Sequence, residues 1–386
     1  MRIVVKKQPP DKFLKRTAEL HPIMATLLWQ REIRRSTEIQ EFLDPPYASD
    51  RYDPYKFKEM KRVVERIVHA AQNNERVLVY GDYDADGVTS SVLMVELLEK
   101  LFGNDKEQID VYLPHREKEG YGLHTKAVER IKKKKYDLVI TCDCGTANVP
   151  ELQDLQDAEI DVIVLDHHLA PKKRPPCYGF INPKFEPEKY PFRDLSAGGV
   201  VFKVVQAVRK YFEEKGRERV PVNESFEKWS LDLVAISTVA DMMPLLGENR
   251  SLVKWGLIVL NKNKRLGVRA LRKQSDLTGE LNTYDIGFGI APRINAAGRL
   301  DHANVAYDLL RQTSMSIARV DARKLNSTNE SRKRLTSAIV KEATQQAEAQ
   351  VQKNRRIIVA YNLKKDAWPT GVVGLVAGKL SREFNR

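Results

Sequence analysis

Val77-Leu-Val-Tyr-Gly-Asp-Tyr-Asp-Ala-Asp-Gly87 decides the fold, because an apolar run of strand length passes directly into three carboxylates at alternate positions, Asp82, Asp84 and Asp86, and then a glycine. The residues that follow, Val88–Phe102, have the apolar spacing of a helix. Strand, polar turn and helix make up the first half of a parallel crossover unit, and the pattern repeats outward from here. Ile109–Leu113, Asp137–Thr141 and Asp161–Leu165 are short β-branched strand candidates, with helices such as Thr125–Lys134 between them. Between about residues 56 and 200 the sequence therefore predicts an α/β fold built on a doubly wound parallel sheet.

Further along, Phe202–Glu214, Trp229–Ala240 and Leu252–Lys262 read as helices. The stretch from Ser316 to about Gln352 is polar and almost free of Gly and Pro, and as one helix it would span roughly 50 Å. It reads as a connector. After it come a strand candidate, Arg356–Tyr361, a turn at Trp368–Pro369, and a helix opened by Gly371-Val-Val-Gly374. The expected division is an N-terminal extension (1–55), a catalytic domain (56–315), a connecting helix (316–352) and the beginning of a second, smaller α/β domain (353–386), incomplete at Arg386. No internal repeat or low-complexity segment is visible.

At 386 residues the chain exceeds one compact core. With 42% hydrophobic and 30% charged residues it reads as a soluble globular protein. No run approaches the roughly 18 apolar residues of a membrane span, and the first residues lack the apolar core of a secretory signal, so the expectation is a cytoplasmic protein that does not engage membranes. The three cysteines, Cys142, Cys144 and Cys177, form no framework and read as reduced thiols. Cys142 and Cys144 flank Asp143 at a strand end; if Asp143 faces a site, alternation turns both thiols away from it. The net charge of +13 fits a polyanionic partner or an ordinary solvated surface. Residues 261–275 hold Lys262, Lys264, Arg265, Arg269, Arg272 and Lys273 without an acid, which is either a wet face or a phosphate-binding one.

Crowding Asp82, Asp84 and Asp86 costs energy unless cations hold them. An acidic turn or a calcium loop would also explain them, but Val88–Met94 offers no downstream bidentate acid for the latter. The strand ending at Thr141 delivers Asp143, and the one ending at Leu165 delivers Asp166-His167-His168. Taken singly these are helix caps or structural histidines. Three strands releasing Asp or His at their carboxyl ends coincide with the place where open parallel sheets bind ligands. The apolar helix Val234–Ala240 adds Asp241 at its C-terminal end, where the dipole disfavours an anion and a metal would explain it. Carboxylates with one or two imidazoles suit Mn²⁺ or Mg²⁺, and the surplus of acids suffices for two ions about 4 Å apart.

Gly81-Asp-Tyr-Asp-Ala-Asp-Gly87, Thr141-Cys-Asp-Cys-Gly145, Leu165-Asp-His-His168 and Val239-Ala-Asp-Met-Met-Pro-Leu245 resemble, in order, the four metal-site motifs of the DHH superfamily of phosphoesterases. Within it, Glu119-Gly-Tyr-Gly-Leu123, Ser196–Lys203 and Pro292–Ala303 are similar to the RecJ-type exonucleases, and the match runs from about residue 76 onward. The resemblance implies that Asp82, Asp84, Asp86, Asp143, His167 and Asp241 hold two Mn²⁺ or Mg²⁺ ions. It places His168 on the scissile phosphate, with Asp166 and Arg299 also among the catalytic residues. The implied reaction is hydrolysis of single-stranded DNA from its 5′ end by a metal-activated water, in DNA repair and recombination. Asn295 and Arg299 are either a capped loop with a surface arginine or a fork on a DNA phosphate. Ser196, Gly198 and Gly199 start a helix whose amides hold a phosphate, or else serve close helix packing. The partners implied are single-stranded DNA and, as a candidate, single-strand-binding protein, for a monomeric chain. RecJ-type chains continue the second domain to a Gly-Gly-His segment and an oligonucleotide-binding fold, so the wall that clamps the strand is expected to be incomplete here. Competing readings are a small-nucleotide phosphodiesterase, oligoribonuclease or pyrophosphatase of the same superfamily, and a non-catalytic replication scaffold.

Overall fold

In the computed structural model the described residues are 7–47, 52–216, 221–353, 355–363 and 368–385. Three short helices come first: α1 (Asp11–Arg16), α2 (Pro22–Gln30) and α3 (Ser36–Leu43). They close a small cluster of their own around Phe13, Ala25, Leu28 and Ile39. The central unit follows as α4 (Met60–Gln72), β1 (Val77–Gly81), α5 (Ala85–Phe102), β2 (Ile109–Tyr112), α6 (Thr125–Lys134), β3 (Leu138–Cys142), α7 (Val149–Gln156), β4 (Asp161–Leu165) and β5 (Gly179–Ile181). Next come α8 (Ala197–Glu214), α9 (Glu224–Trp229), α10 (Leu231–Ala240), α11 (Gly247–Asn261) and α12 (Leu266–Gln274). A π-helical turn at Asp285–Ile290 runs directly into α13 (Ala291–Leu300), then α14 (Asn304–Arg311), α15 (Met315–Gln352) and α16 (Thr370–Phe384).

The five strands are parallel, in the order β2-β1-β3-β4-β5. This is the expected doubly wound sheet. Both of its faces are covered, which is why β1, β3 and most of β4 are buried and mainly apolar rather than alternating, while the edge strand β2, with Asp110, is half-buried. Val77, Val79, Leu138, Ile140, Ile163 and Leu165 point into the larger core with α4, α5 and α8. Leu78, Tyr80, Val139, Val162 and Val164 point into a smaller one under α6 and α7. The chain turns in opposite directions on the two sides of the β1–β3 pair, so the carboxyl ends of these strands open a crevice.

Three expectations need correction. A fifth strand, Gly179–Ile181, pairs with β4 and is too short to carry a sequence period. The helix expected at Trp229–Ala240 starts at Leu231, Trp229 being the last residue of the separate α9. Arg356–Tyr361 forms no strand ladder among the described residues; its backbone instead bonds to glutamine side chains of α15. Val359 N donates to Gln350 Oε1 at 3.0 Å and Tyr361 N to Gln346 Oε1 at 2.9 Å. Gln350 Nε2 returns a bond to Val359 O at 2.8 Å and Gln346 Nε2 to Tyr361 O at 2.9 Å. Two glutamines one helical turn apart thus do for an extended segment what a neighbouring strand would. The α15 helix itself spans 38 residues, about 57 Å. Val372, Val376 and Leu380 of α16 pack on its Ile339, Ala343 and Ala347.

The basic run is also divided by its surroundings. Arg265 is drawn into the interior between Glu96 (2.6 Å) and Asp232 (2.8 Å). Lys264 lies over the Trp229 ring at 3.7 Å. Asp232 sits at the first turn of α10 and Asp241 just past its last, so this region is about 14 Å along the helix axis from the metal-site motif. Among the described residues no helix is long and apolar enough to cross a membrane.

Candidate metal centre

Asp84 caps α5, its Oδ1 accepting the amides of Asp86 (2.9 Å) and Gly87 (3.1 Å). Gly87 is required here: a Cβ would stand 2.6 Å from the Asp82 Cβ, so only glycine lets the helix start over the loop. From β3 the chain turns through Asp143 at φ +67°. That left-handed conformation is rare outside Gly, Asn and Asp, and it breaks the strand alternation. Cys142 consequently enters the larger core and Cys144 the smaller, both away from Asp143 but on opposite sides of the sheet.

The six expected ligands converge. His167 Nε2 lies 3.1 Å from Asp143 Oδ1, 3.5 Å from Asp86 Oδ2 and 3.7 Å from Asp241 Oδ2. Three overlapping sets, Asp143–His167–His168, Asp86–His167–Asp241 and Asp82–Asp84–Asp143, each bring their ligand atoms within 4.8 Å of one another. Asp82 Oδ1 and His167 Nδ1 are buried with no hydrogen-bond partner among the described residues. Hard oxygen donors plus imidazole, with orphaned polar atoms among them, fit divalent ions such as Mn²⁺ or Mg²⁺.

Without a cation the carboxylates disturb one another. Burial, then the neighbouring Asp86, Asp84 and Asp82, lifts Asp143 well above the usual range. Burial and Asp84 do the same to Asp82, and burial and Asp86 raise Asp84. Asp241 is pushed up to about 7 by burial, Asp86 and Asp84. Burial lowers His167, favouring the neutral ring that a metal needs.

Asp166 departs from its expected catalytic role. Its Oδ1 accepts the amides of His167 (2.7 Å) and His168 (3.1 Å) and meets His168 Nδ1 at 2.8 Å, while Oδ2 accepts the Thr146 amide at 3.0 Å. Although burial pushes the other way, these bonds from His168 and Thr146 hold its carboxyl below the usual range. It is 1% exposed and positions both histidines rather than meeting a substrate. His168, by contrast, is half exposed, and its bond to Asp166 raises its pKa.

The helix start at Ser196, Gly198 and Gly199 also has a different job from phosphate binding. All three residues are buried. The amides of Ala197 and Gly198 donate to Asp86 at 2.8 and 3.1 Å, joined by the Ser237 hydroxyl. Ser196 Oγ caps the Gly199 amide at 3.2 Å. The positive end of α8 is thus spent on a protein carboxylate, with close packing as the glycines' reason: a Cβ on Gly198 would collide with Ser237. Asn295 likewise turns inward, its Oδ1 accepting the Ala85 amide at 2.7 Å and tying α13 to the acidic loop.

Residues 76–238 match the DHH family, N-terminal domain. The chain is similar to the single-stranded-DNA-specific exonuclease RecJ of Bacillus subtilis, 37% identical over 390 residues that cover 100% of this chain and 47% of that protein. With the Escherichia coli protein of the same name it is 30% identical, covering 100% of this chain and 66% of the relative. A crystal structure of exonuclease RecJ bound to manganese matches with TM-score 0.73 and 31% identity over 86% of this chain and 79% of that one. RecJ from Thermus thermophilus in complex with Mn²⁺ matches with TM-score 0.78 and 29% identity, covering 97% and 51%. The chain belongs to the DHH family. It spans about half to two thirds of the length of these curated relatives.

In this DHH-family chain the structure brings further residues to the centre that the sequence did not single out. Tyr121, inside the Glu119–Leu123 motif, donates its hydroxyl to Asp143 O at 2.9 Å and lies 3.0 Å from His168 Nδ1. Arg299 bonds Gly371 O at 2.6 Å, linking α13 to α16. Burial and the charges of Arg116 and Arg332 push it down to about 10. Arg116 and Arg299 thus stand beside the acidic loop, with Arg332 close enough to Arg299 to act on it. Arg116 lies over the Tyr83 ring at 4.2 Å, with Nε buried and without a hydrogen-bond partner among the described residues. After burial, the like charges of Arg116 and Arg332 are what lower Arg299.

Proposed function

We propose that this chain carries the catalytic part of a metal-dependent exonuclease that hydrolyses single-stranded DNA from its 5′ end. The observation that carries the reading is the juxtaposition of three overlapping ligand sets at the sheet's crevice with the arginine cluster beside them. Asp82, Asp84 and Asp143 would hold one ion and Asp86, His167 and Asp241 the other, each set near Asp143 or His167. Bound Mn²⁺ or Mg²⁺ supplies a water acidic enough to attack at neutral pH and neutralises phosphate charge. The remaining work falls to side chains. Asp166 occupies His168 Nδ1 and favours the protonated ring, leaving Nε2 to donate to a non-bridging phosphate oxygen. Tyr121 limits rotation of the same ring. Arg116, Arg299 and Arg332 attract the strand and offset the charge it brings. Asn295 and the α8 amides keep the acidic loop in place.

The names of the relatives favour a DNA strand over a small nucleotide. The domain division at 55, 315 and 352 belongs to the same reading, with residues 353–386 opening a second unit. So do a monomeric state and docking of single-strand-binding protein. The test is to incubate the chain with Mn²⁺ and single- or double-stranded oligonucleotides labelled at the 5′ or 3′ end. Mononucleotides should be released from the 5′ end of single strands alone. Cleavage of a cyclic dinucleotide or pyrophosphate, with oligonucleotides left intact, would overturn the reading in favour of a small-molecule enzyme.

A further inference from the structure

We infer that Tyr284 and Phe288 form a stacking platform for a nucleobase two or three nucleotides from the reacting phosphate. The two rings are 66% and 70% exposed and stack on each other, with centroids 4.5 Å apart and planes 28° from parallel. Large aromatic rings are seldom left this open, and paired on one face they mark a contact surface.

Their position on the fold says what the contact is for. The π-helical turn Asp285–Ile290 continues without a break into α13. Along this rod Tyr284 and Phe288 are exposed and Pro292, Asn295 and Arg299 half exposed, while Ile286, Gly289–Ala291, Arg293, Ile294 and Ala296–Gly298 are buried. Tyr284, Phe288, Pro292, Asn295 and Arg299 follow one another at spacings of three and four and so share one face, while Asp285, Gly287 and Leu300 are open beside it. That face therefore runs from the aromatic pair to Asn295, which holds the acidic loop, and on to Arg299 in the arginine cluster. Gly298 packs against the Tyr83 carbonyl with no room for a side chain, so the rod rests on that loop.

The aromatic end also adjoins the Asp241 side of the centre. A Cβ on Gly287 would touch Val239 at 3.7 Å, two residues before Asp241, and Met242 beside it is 88% exposed. Phe288 precedes Asn295 by seven residues, roughly 10 Å along the axis. That is about three nucleotides at the 3.4 Å spacing of a stacked strand. Asp285, between the two rings in sequence, has its carboxylate turned onto the Asn282 amide at 2.9 Å. A π-turn at this point is itself informative, since such turns are rare and concentrate at functional sites. Bare aromatic faces beside a basic groove are how single strands are held without sequence preference, because every base has a π-face.

This inference rests on the nuclease reading, and its test separates the two. A 3′-labelled, phosphorothioate-linked dT12 that resists hydrolysis is titrated in Mn²⁺ against the parent chain, Tyr284→Ala/Phe288→Ala and Tyr284→Trp. A second dT12 has abasic sites at nucleotides two to four. On the intact strand the double alanine variant should bind about tenfold more weakly or worse. Its log affinity should fall with log salt at the parent's slope, and Tyr284→Trp should retain the parent's affinity. On the abasic strand the double variant and the parent should be equal. Affinity of the double variant within twofold of the parent on intact dT12, or the same loss on both strands, overturns the platform while the nuclease reading stands. A parent chain that neither binds nor cleaves any strand overturns the nuclease reading and the platform with it. Equal melting temperatures for parent and variants exclude misfolding as the cause of a loss.

Discussion

At the residue scale the centre is a set of side chains arranged for a charge the protein itself does not supply. Asp143 is the most informative member, surrounded by Asp82, Asp84, Asp86 and Asp166, buried, and raised well above the usual carboxylate range. A carboxyl whose folded pKa is raised binds its proton more tightly when folded. Below about pH 4 both folded and unfolded forms hold the proton and the group costs nothing. As pH rises above the unfolded value towards the folded one, the unfolded chain gives up the proton that the folded chain retains, and the folded state is progressively penalised. Asp143→Asn removes that penalty, and asparagine is the suitable replacement because position 143 has φ +67°, which alanine tolerates less well. In metal-free buffer the variant should melt with the parent near pH 4 and above it near pH 7. The gap should exceed about 2 °C, which corresponds to about 1 kcal/mol in a domain of this size. Added Mn²⁺ should stabilise the variant less than the parent, since the Asp86–His167–Asp241 set is intact, and the variant should lose hydrolysis. Melting scans across this pH range decide the matter; a variant that melts below the parent at pH 7 would show Asp143 to be a structural residue.

Elements differ in how far the sequence reveals them, and the differences have physical causes. Strands β1, β3 and β4 are mainly apolar runs between polar turns, so local pattern suffices, and all three lead into the Asp and His residues of the centre. Gly179–Ile181 is a strand only because β4 offers it an open edge. Arg356–Tyr361 has strand composition and no strand partner among the described residues, so glutamines of α15 satisfy its backbone instead. The start of α8 was legible as an anion site, but not which anion. Only the approach of α5, some 110 residues earlier in the chain, puts Asp86 there. Gly198→Ala tests that contact. The added methyl would stand 2.6 Å from Ser237 Cβ and must push α8 from α10. Overpacking of this kind costs about 1–3 kcal/mol. Because Asp86 is displaced with the helix, Mn²⁺ affinity measured by calorimetry should fall as well. A loss of stability with unchanged Mn²⁺ affinity would separate the glycine's packing from the placement of Asp86.

For the whole molecule, an excess of 13 positive charges gives no address, and the structure divides those charges by what they face. The densest run in sequence, residues 261–275, lies toward the opposite end of α10 from Asp241. Arg265 there is committed to Glu96 and Asp232, and Lys264 to Trp229. The cations grouped around Arg299, beside the acidic loop, come from positions 116, 299 and 332, separated by 183 and 33 residues, so no window of sequence could have joined them. Salt dependence tells the two groups apart, because each phosphate neutralised on a single strand contributes about −0.7 to the slope of log affinity against log salt. Arg116→Gln/Arg332→Gln should therefore flatten the slope by about 1.4 if both contact phosphate. Lys264→Gln/Arg269→Gln/Lys273→Gln removes more charge, yet leaves the slope as it was, since a strand threaded past α13 does not reach that surface. The measurement is a salt titration of oligonucleotide affinity for the parent and both variants. A flatter slope in the triple variant, with none in the double, would place the DNA across α12 and require a different path from the one drawn by Tyr284, Asn295 and Arg299.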